Sequence, residues 1–188
     1  MPVSVINPLR PIAFRAMRIG ELVLDDFGEG TVLALVVSRG GGWVQYAEID
    51  GPSIEPFTIR QVESRNRCLS YGTDWVLEAR PGQATRIFPD GTKDLRAGEA
   101  YLVEGEVRLA LLYKHEGNPG PVLYDVRSGK FVQDARPAAC GFGWAIWASD
   151  EDFRRHGAKP IFEFEPELQN TGDSDAPPQH SAVPRLPH

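Results

Sequence analysis

Short apolar segments, broken every few residues by glycine or proline, constrain the fold of this 188-residue chain more than any other feature. Thr31-Val32-Leu33-Ala34-Leu35-Val36-Val37 is rich in β-branched residues, which pack well on a pleated surface. Glu21-Leu22-Val23-Leu24 precedes it across the turn Asp25-Asp26-Phe27-Gly28-Glu29-Gly30. Gly40-Gly41-Gly42 separates it from Trp43-Val44-Gln45-Tyr46-Ala47-Glu48-Ile49, and Asp50-Gly51-Pro52 leads on to Phe57-Thr58-Ile59-Arg60-Gln61-Val62. Connections this short do not accommodate a helical crossover, so the strands are predicted to be antiparallel neighbours.

The second half, about residues 74–148, repeats the strand-and-turn texture, and no 3.6-residue period competes with it. Strands are predicted at Trp75–Ala79, Thr85–Phe88, Ala100–Val103, Val107–Tyr113, Val122–Val126 and Lys130–Val132, with Phe142, Trp144 and Ile146 on one face of a further strand. One short helix is expected after Ser149. Asp150, Glu151 and Asp152 suit its N-terminal end, Arg154 and Arg155 its last turn, and Gly157 its stop. The predicted fold is therefore mainly β, in four parts. Residues 1–18, with Pro2, Pro8 and Pro11, form an extended arm, and 19–70 a small barrel. A second β-rich unit with the helix covers 71–165, and a disordered acidic tail 166–188. No internal repeat is evident at the level of residue identity.

Gly20-Glu21-Leu22-Val23 followed by Phe27-Gly28-Glu29-Gly30-Thr31-Val32 resembles the opening of an SH3-like or Tudor-like barrel. It is similar to the C-terminal module of bacterial repair helicases and to the RNA-polymerase-binding barrel of certain transcription factors. The likeness covers about residues 19–66. After Tyr46 the chain departs from the helicase pattern, with Gly51-Pro52-Ser53 in place of a short link. What the resemblance implies is docking onto a larger assembly that handles nucleic acid.

Charge narrows the functional classes. The formal net charge is −6, of which residues from Glu163 onward carry −4, so no basic field spans the molecule. No run of about 18 apolar residues is present, and no secretory leader is read at the N-terminus. Cys68 and Cys140 stand far apart in sequence and read as reduced, buried residues of a cytoplasmic protein. His115, His156, His180 and His188 show no metal-ligand spacing, so neither metal nor cofactor is expected. The glycine clusters open no helix and precede no Gly-Lys-Ser/Thr, which excludes a phosphate loop. Cys140-Gly141-Phe142-Gly143-Trp144 departs from the C-G-S-C-W of papain-like proteases at the nucleophile, where Gly143 stands. A Cys140 thiolate paired with His115 or His156 is the one catalytic arrangement left open.

The expected role is accordingly that of a non-enzymatic adaptor with a protein partner. Its candidate binding residues are Trp43, Tyr46, Arg60, Arg65, Arg67 and Trp147. Trp43 and Tyr46 are three apart in a strand, so one faces the core and the other a partner. Arg60, Arg65 and Arg67 suit phosphate or carboxylate, which makes direct nucleic-acid binding the alternative. A second alternative is an acidic inhibitor of a basic nucleic-acid-binding site, acting through the tail.

Overall fold

The structure, a computed structural model, describes residues 9–26, 30–52, 55–63, 67–80, 95–103, 105–114, 120–132 and 141–166. The expectations for Arg65, Thr85–Phe88, His115, Cys140 and the 167–188 part of the tail lie outside the described residues. The fold is mainly β, as expected. Thirteen described strands join in one sheet that does not close, accompanied by a single short α-helix.

β1 (Arg10–Ala13) is an edge strand, and a 3-10 turn at Phe14–Ala16 follows it. β2 (Leu22–Asp26), β3 (Thr31–Arg39), β4 (Trp43–Asp50) and β5 (Thr58–Glu63) form an antiparallel meander. β6 (Arg67–Gly72) returns to the free side of β2, with Val23 opposite Ser70, and carries β1 on its outer edge. β7 (Val76–Arg80) follows. The second half then runs through β8 (Ala100–Val103), β9 (Glu106–Tyr113), β10 (Gly120–Asp125) and β11 (Lys130–Val132), again an antiparallel meander. β12 (Gly141–Trp147) returns to β8 with Phe142 opposite Ala100. The halves meet where β5 and β9 pair in parallel, Thr58 opposite Leu112, and where β7 pairs with β12. Ser149 caps α1 (Asp150–Arg154) by accepting from the Asp152 amide at 3.1 Å, and β13 (Phe162–Phe164) then adds to β12.

These pairings make the halves copies of one another, which corrects the expectation that the chain has no repeat. In each, four strands meander and a fifth returns beside the first. The correspondence extends to single hydrogen bonds. Gly20 donates to the Val36 carbonyl (2.8 Å), Val36 to Glu21 (2.9 Å) and Glu21 to Arg18 (3.1 Å). Gly98 donates to Ala110 (2.8 Å), Ala110 to Glu99 (2.9 Å) and Glu99 to Arg96 (3.2 Å). Gly20 and Gly98 both hold positive φ, +84° and +92°. After the third strand, Phe57 (φ 62°) donates to Glu48 and Gly129 (φ 68°) donates to Asp125. A tryptophan beyond the end of the first copy's fifth strand, and one within the second copy's, caps the glycine carbonyl through its indole N–H, Trp75 on Gly20 at 2.8 Å and Trp144 on Gly98 at 2.6 Å.

Along the β7–β12 ladder the copies are arranged as a two-fold dimer would be, although the β5–β9 pairing has no β3–β11 counterpart among the described residues. Leu77 and Ile146, each two residues past its tryptophan, face one another in the β7–β12 ladder. Val76 faces Trp147 and Glu78 faces Ala145, so equivalent segments pair with each other in the self-complementary manner of an isologous interface. The core follows the same plan. Leu22, Leu35 and Ile59 pack with Leu109, Trp144 and Ile146 in one cluster shared by both copies. Met17, Val23, Val36 and Tyr46 form an outer cluster in one copy, matched by Leu95, Tyr101, Ala110 and Leu123 in the other.

Candidate interaction surface

Tyr46 is 1% exposed and takes its place in the outer cluster of the first copy, its hydroxyl 3.4 Å from the Met17 sulfur. Met17 and Phe14, brought over the sheet by the 3-10 turn, cover the face that Tyr46 points to, so in this fold it is core. Trp43 is half-buried and lies flat over Gly40, where an added Cβ would come within 2.4 Å of the indole. Trp147 is also half-buried, donating to Glu78 Oε2 at 3.0 Å and meeting Phe153 edge-on at 5.6 Å. Arg60 is 51% exposed on β5, with Nε 3.3 Å from the buried Glu48 carboxylate. The Arg67 backbone lies on β6 opposite Ala13, and in the sheet order β2, β3 and β4 separate β6 from β5. The arginines close in sequence therefore sit on strands that are not neighbours in the ladder.

A large cleft lies elsewhere, at the junction of the copies. Its volume is about 900 Å³, and Trp75, Val76, Leu77, Ile19 and Gly20 line it from the first copy. The Asp125–Lys130 turn lines it from the second. β7 pairs with β12 on one edge, and among the described residues no strand pairs with its other edge. Within the turn, burial works to raise the Asp125 pKa. Hydrogen bonds from Ser128 and from the Arg127 amide, with the Arg108 charge, outweigh it and bring the pKa below the usual 3.8. Arg108 also reaches Glu106, at 2.9 Å, so the two carboxylates on this side share one guanidinium. Arg127 and Lys130 stand exposed at the rim, and neither makes an ion pair among the described residues. Sequence reasoning missed this cleft. Its sequence trace is the recurrence of Arg-x-Gly-Glu at Arg18–Glu21 and Arg96–Glu99, each copy ending in a tryptophan that caps the glycine.

The buried titratable groups serve the scaffold. Glu21 accepts from Ser70 Oγ at 2.5 Å and Glu99 from the Tyr101 hydroxyl at 2.5 Å. Each carboxylate sits beside its repeat's glycine turn, although the donor comes from the returning strand in one copy and from the first strand in the other. Burial, and then the nearby Asp25 and Glu21 charges, push the Cys68 thiol up to about 12. A thiol 7% exposed and protonated at neutral pH is a poor nucleophile. Cys68 is therefore expected to resist maleimide at pH 7.5 in the folded protein and to react on addition of denaturant, followed by mass spectrometry. Because the unfolded thiol ionises near 9.0 and the folded one near 12, its contribution to stability is complete below pH 9 and is lost as pH rises toward 12.

Among the described residues, no group of three or more His, Cys, Asp or Glu is placed to hold a metal ion. No helix among them is long and apolar enough to cross a membrane. Comparison with protein-family models, curated proteins and solved structures returned no match to this chain.

Proposed function

We propose that this chain is a non-enzymatic, cytoplasmic adaptor that docks onto a larger protein assembly handling nucleic acid. The observation that carries the reading is the edge of β7 that no strand among the described residues pairs with, beside the 900 Å³ cleft. A strand edge offers a row of backbone donors and acceptors, which an extended segment of a partner satisfies while the adjoining cleft takes its side chains. The returning fifth strand in each copy supports the resemblance to a small SH3-like barrel, because a five-stranded sheet approaches closure only when its last strand comes back beside its first. The nucleic-acid-handling context comes from the families that the Gly20–Val32 stretch resembles. The engagement of Arg60 with Glu48 weighs toward a protein partner over direct phosphate contact.

Tagged protein recovered from its native host, with and without nuclease, tests the proposal. A stoichiometric protein partner that survives nuclease is the expected result. Partners lost with nuclease would transfer the assignment to direct nucleic-acid binding, and recovery of no partner would count against an adaptor.

A further inference from the structure

From the internal two-fold we infer that the cleft receives an extended peptide of the pattern aromatic–acidic–aromatic, bound as an antiparallel strand along Trp75–Leu77. The inference rests on the interaction-module reading and names the partner's chemistry. The symmetry-related position on the other copy is already occupied, and by such a segment. Phe162-Glu163-Phe164 lies along β12 with Phe164 opposite Trp144 and Phe162 opposite Ile146.

Phe164 stacks on Trp144 with centroids 6.0 Å apart and planes at 25°. It meets Phe57 edge-on at 5.2 Å, and its ring lies 2.8 Å from where a Gly98 Cβ would be. The counterparts of these three contact residues are Trp75, Gly129 and Gly20, and all three line the open cleft. β7 thus presents the edge that β12 presents to β13. Where Phe57 helps to fill the occupied position, the open one has Gly129, with the Ile19 side chain 2.9 Å from where its Cβ would be.

Charge sets the middle residue. Glu163 pairs with Arg80 at 3.0 Å in the occupied position. By its distance from the tryptophan, the counterpart of Arg80 is Ser149, so that partner is absent from the cleft. The exposed Arg127 and Lys130 stand at its rim instead, while Glu106 and Asp125 are held by Arg108. An acidic residue between the two aromatics meets the net positive charge that Arg108, Arg127 and Lys130 together hold over Glu106 and Asp125. The occupant comes from another molecule, because the residues outside the described set contain only Phe27 and Phe88 among Phe, Tyr and Trp, and so no aromatic pair two residues apart.

The test uses the full chain and a fluorescein-labelled peptide of the sequence Pro-Ile-Phe-Glu-Phe-Glu-Pro, followed by anisotropy at low salt. Saturable binding is expected. It should weaken at least tenfold when both peptide phenylalanines are replaced by alanine, and at least tenfold in the Arg127→Glu/Lys130→Glu double variant, whose changes are exposed. Arg80→Ala should leave it unchanged. Absence of binding would overturn the inference, as would binding sensitive to Arg80→Ala but not to the rim variant, since the peptide would then have displaced β13. Concentration-dependent dimers in sedimentation, dissolved by the peptide, would assign the cleft to β13 of a second copy and overturn it as well. A nuclease-resistant partner recovered without any peptide binding would leave the adaptor reading standing and remove only this cleft from it.

Discussion

Gly98→Ala is expected to destabilise the protein by about 2–5 kcal/mol, against about 1–2 kcal/mol for Gly20→Ala. Both glycines hold the left-handed backbone of the same turn, at φ +92° and +84°, and an L-residue there costs about 1–2 kcal/mol. Their surroundings differ. An alanine Cβ at Gly98 would lie 2.4 Å from Phe57 and 2.8 Å from Phe164, whereas a Cβ at Gly20 would meet nothing within 4 Å beyond its chain neighbours. Overpacking of this kind adds about 1–3 kcal/mol when neighbouring rings have no free direction to move. Phe57 has little freedom, being packed edge-on against Trp144, Phe162 and Phe164. Urea denaturation of the two variants measures the difference. Equal losses would contradict the view that β13 fills one symmetry-related position and leaves the other open.

Trp144→Ala should cost about 3–5 kcal/mol, the range for removing a large aromatic from a closed core. Its side chain is fully buried, touches three aromatic rings and caps the Gly98 carbonyl. For a chain of this length that corresponds to a fall in Tm of roughly 10 °C, readable by calorimetry. Trp75→Ala removes the same hydrogen bond from the first copy but opens onto solvent in the cleft, so about 1–2 kcal/mol is expected. A larger loss at Trp75 than at Trp144 would reverse the assignment of the closed and open positions. Trp75→Ala should also abolish peptide binding, because the ring forms part of the proposed side-chain pocket.

Much of the strand content is local and was therefore readable. β3 and β4 announce themselves by β-branched and alternating residues between glycine turns, and the residues that cap and charge α1 lie within one turn of each other. The alternation along β4 sets one of Trp43 and Tyr46 toward a core, but that Tyr46 is the covered one depends on Met17 and Phe14, supplied by a segment that precedes two other strands. β1 and β13 escape a pattern reading because each has only a few residues beside proline, too short for a period. β6 begins at Arg67, inside the arginine cluster whose charge points to binding rather than to strand formation. The repeat was hidden because its turns differ in length and its core positions exchange freely. Tyr46 stands where Leu123 does, and Val23 where Tyr101 does.

Residues near one another along the chain decide backbone preference, turn position and helix capping, and for these the sequence is enough. Hydrogen bonds between strands decide the rest. The return of β6 to β2 and of β12 to β8, the two-fold that sets β7 against β12, and the side on which Phe162-Glu163-Phe164 lands all join residues remote in sequence. Such pairings depend on complementary edges and shared burial across the whole sheet, which no single segment encodes, and so the filled position and the open cleft exist only in the folded chain.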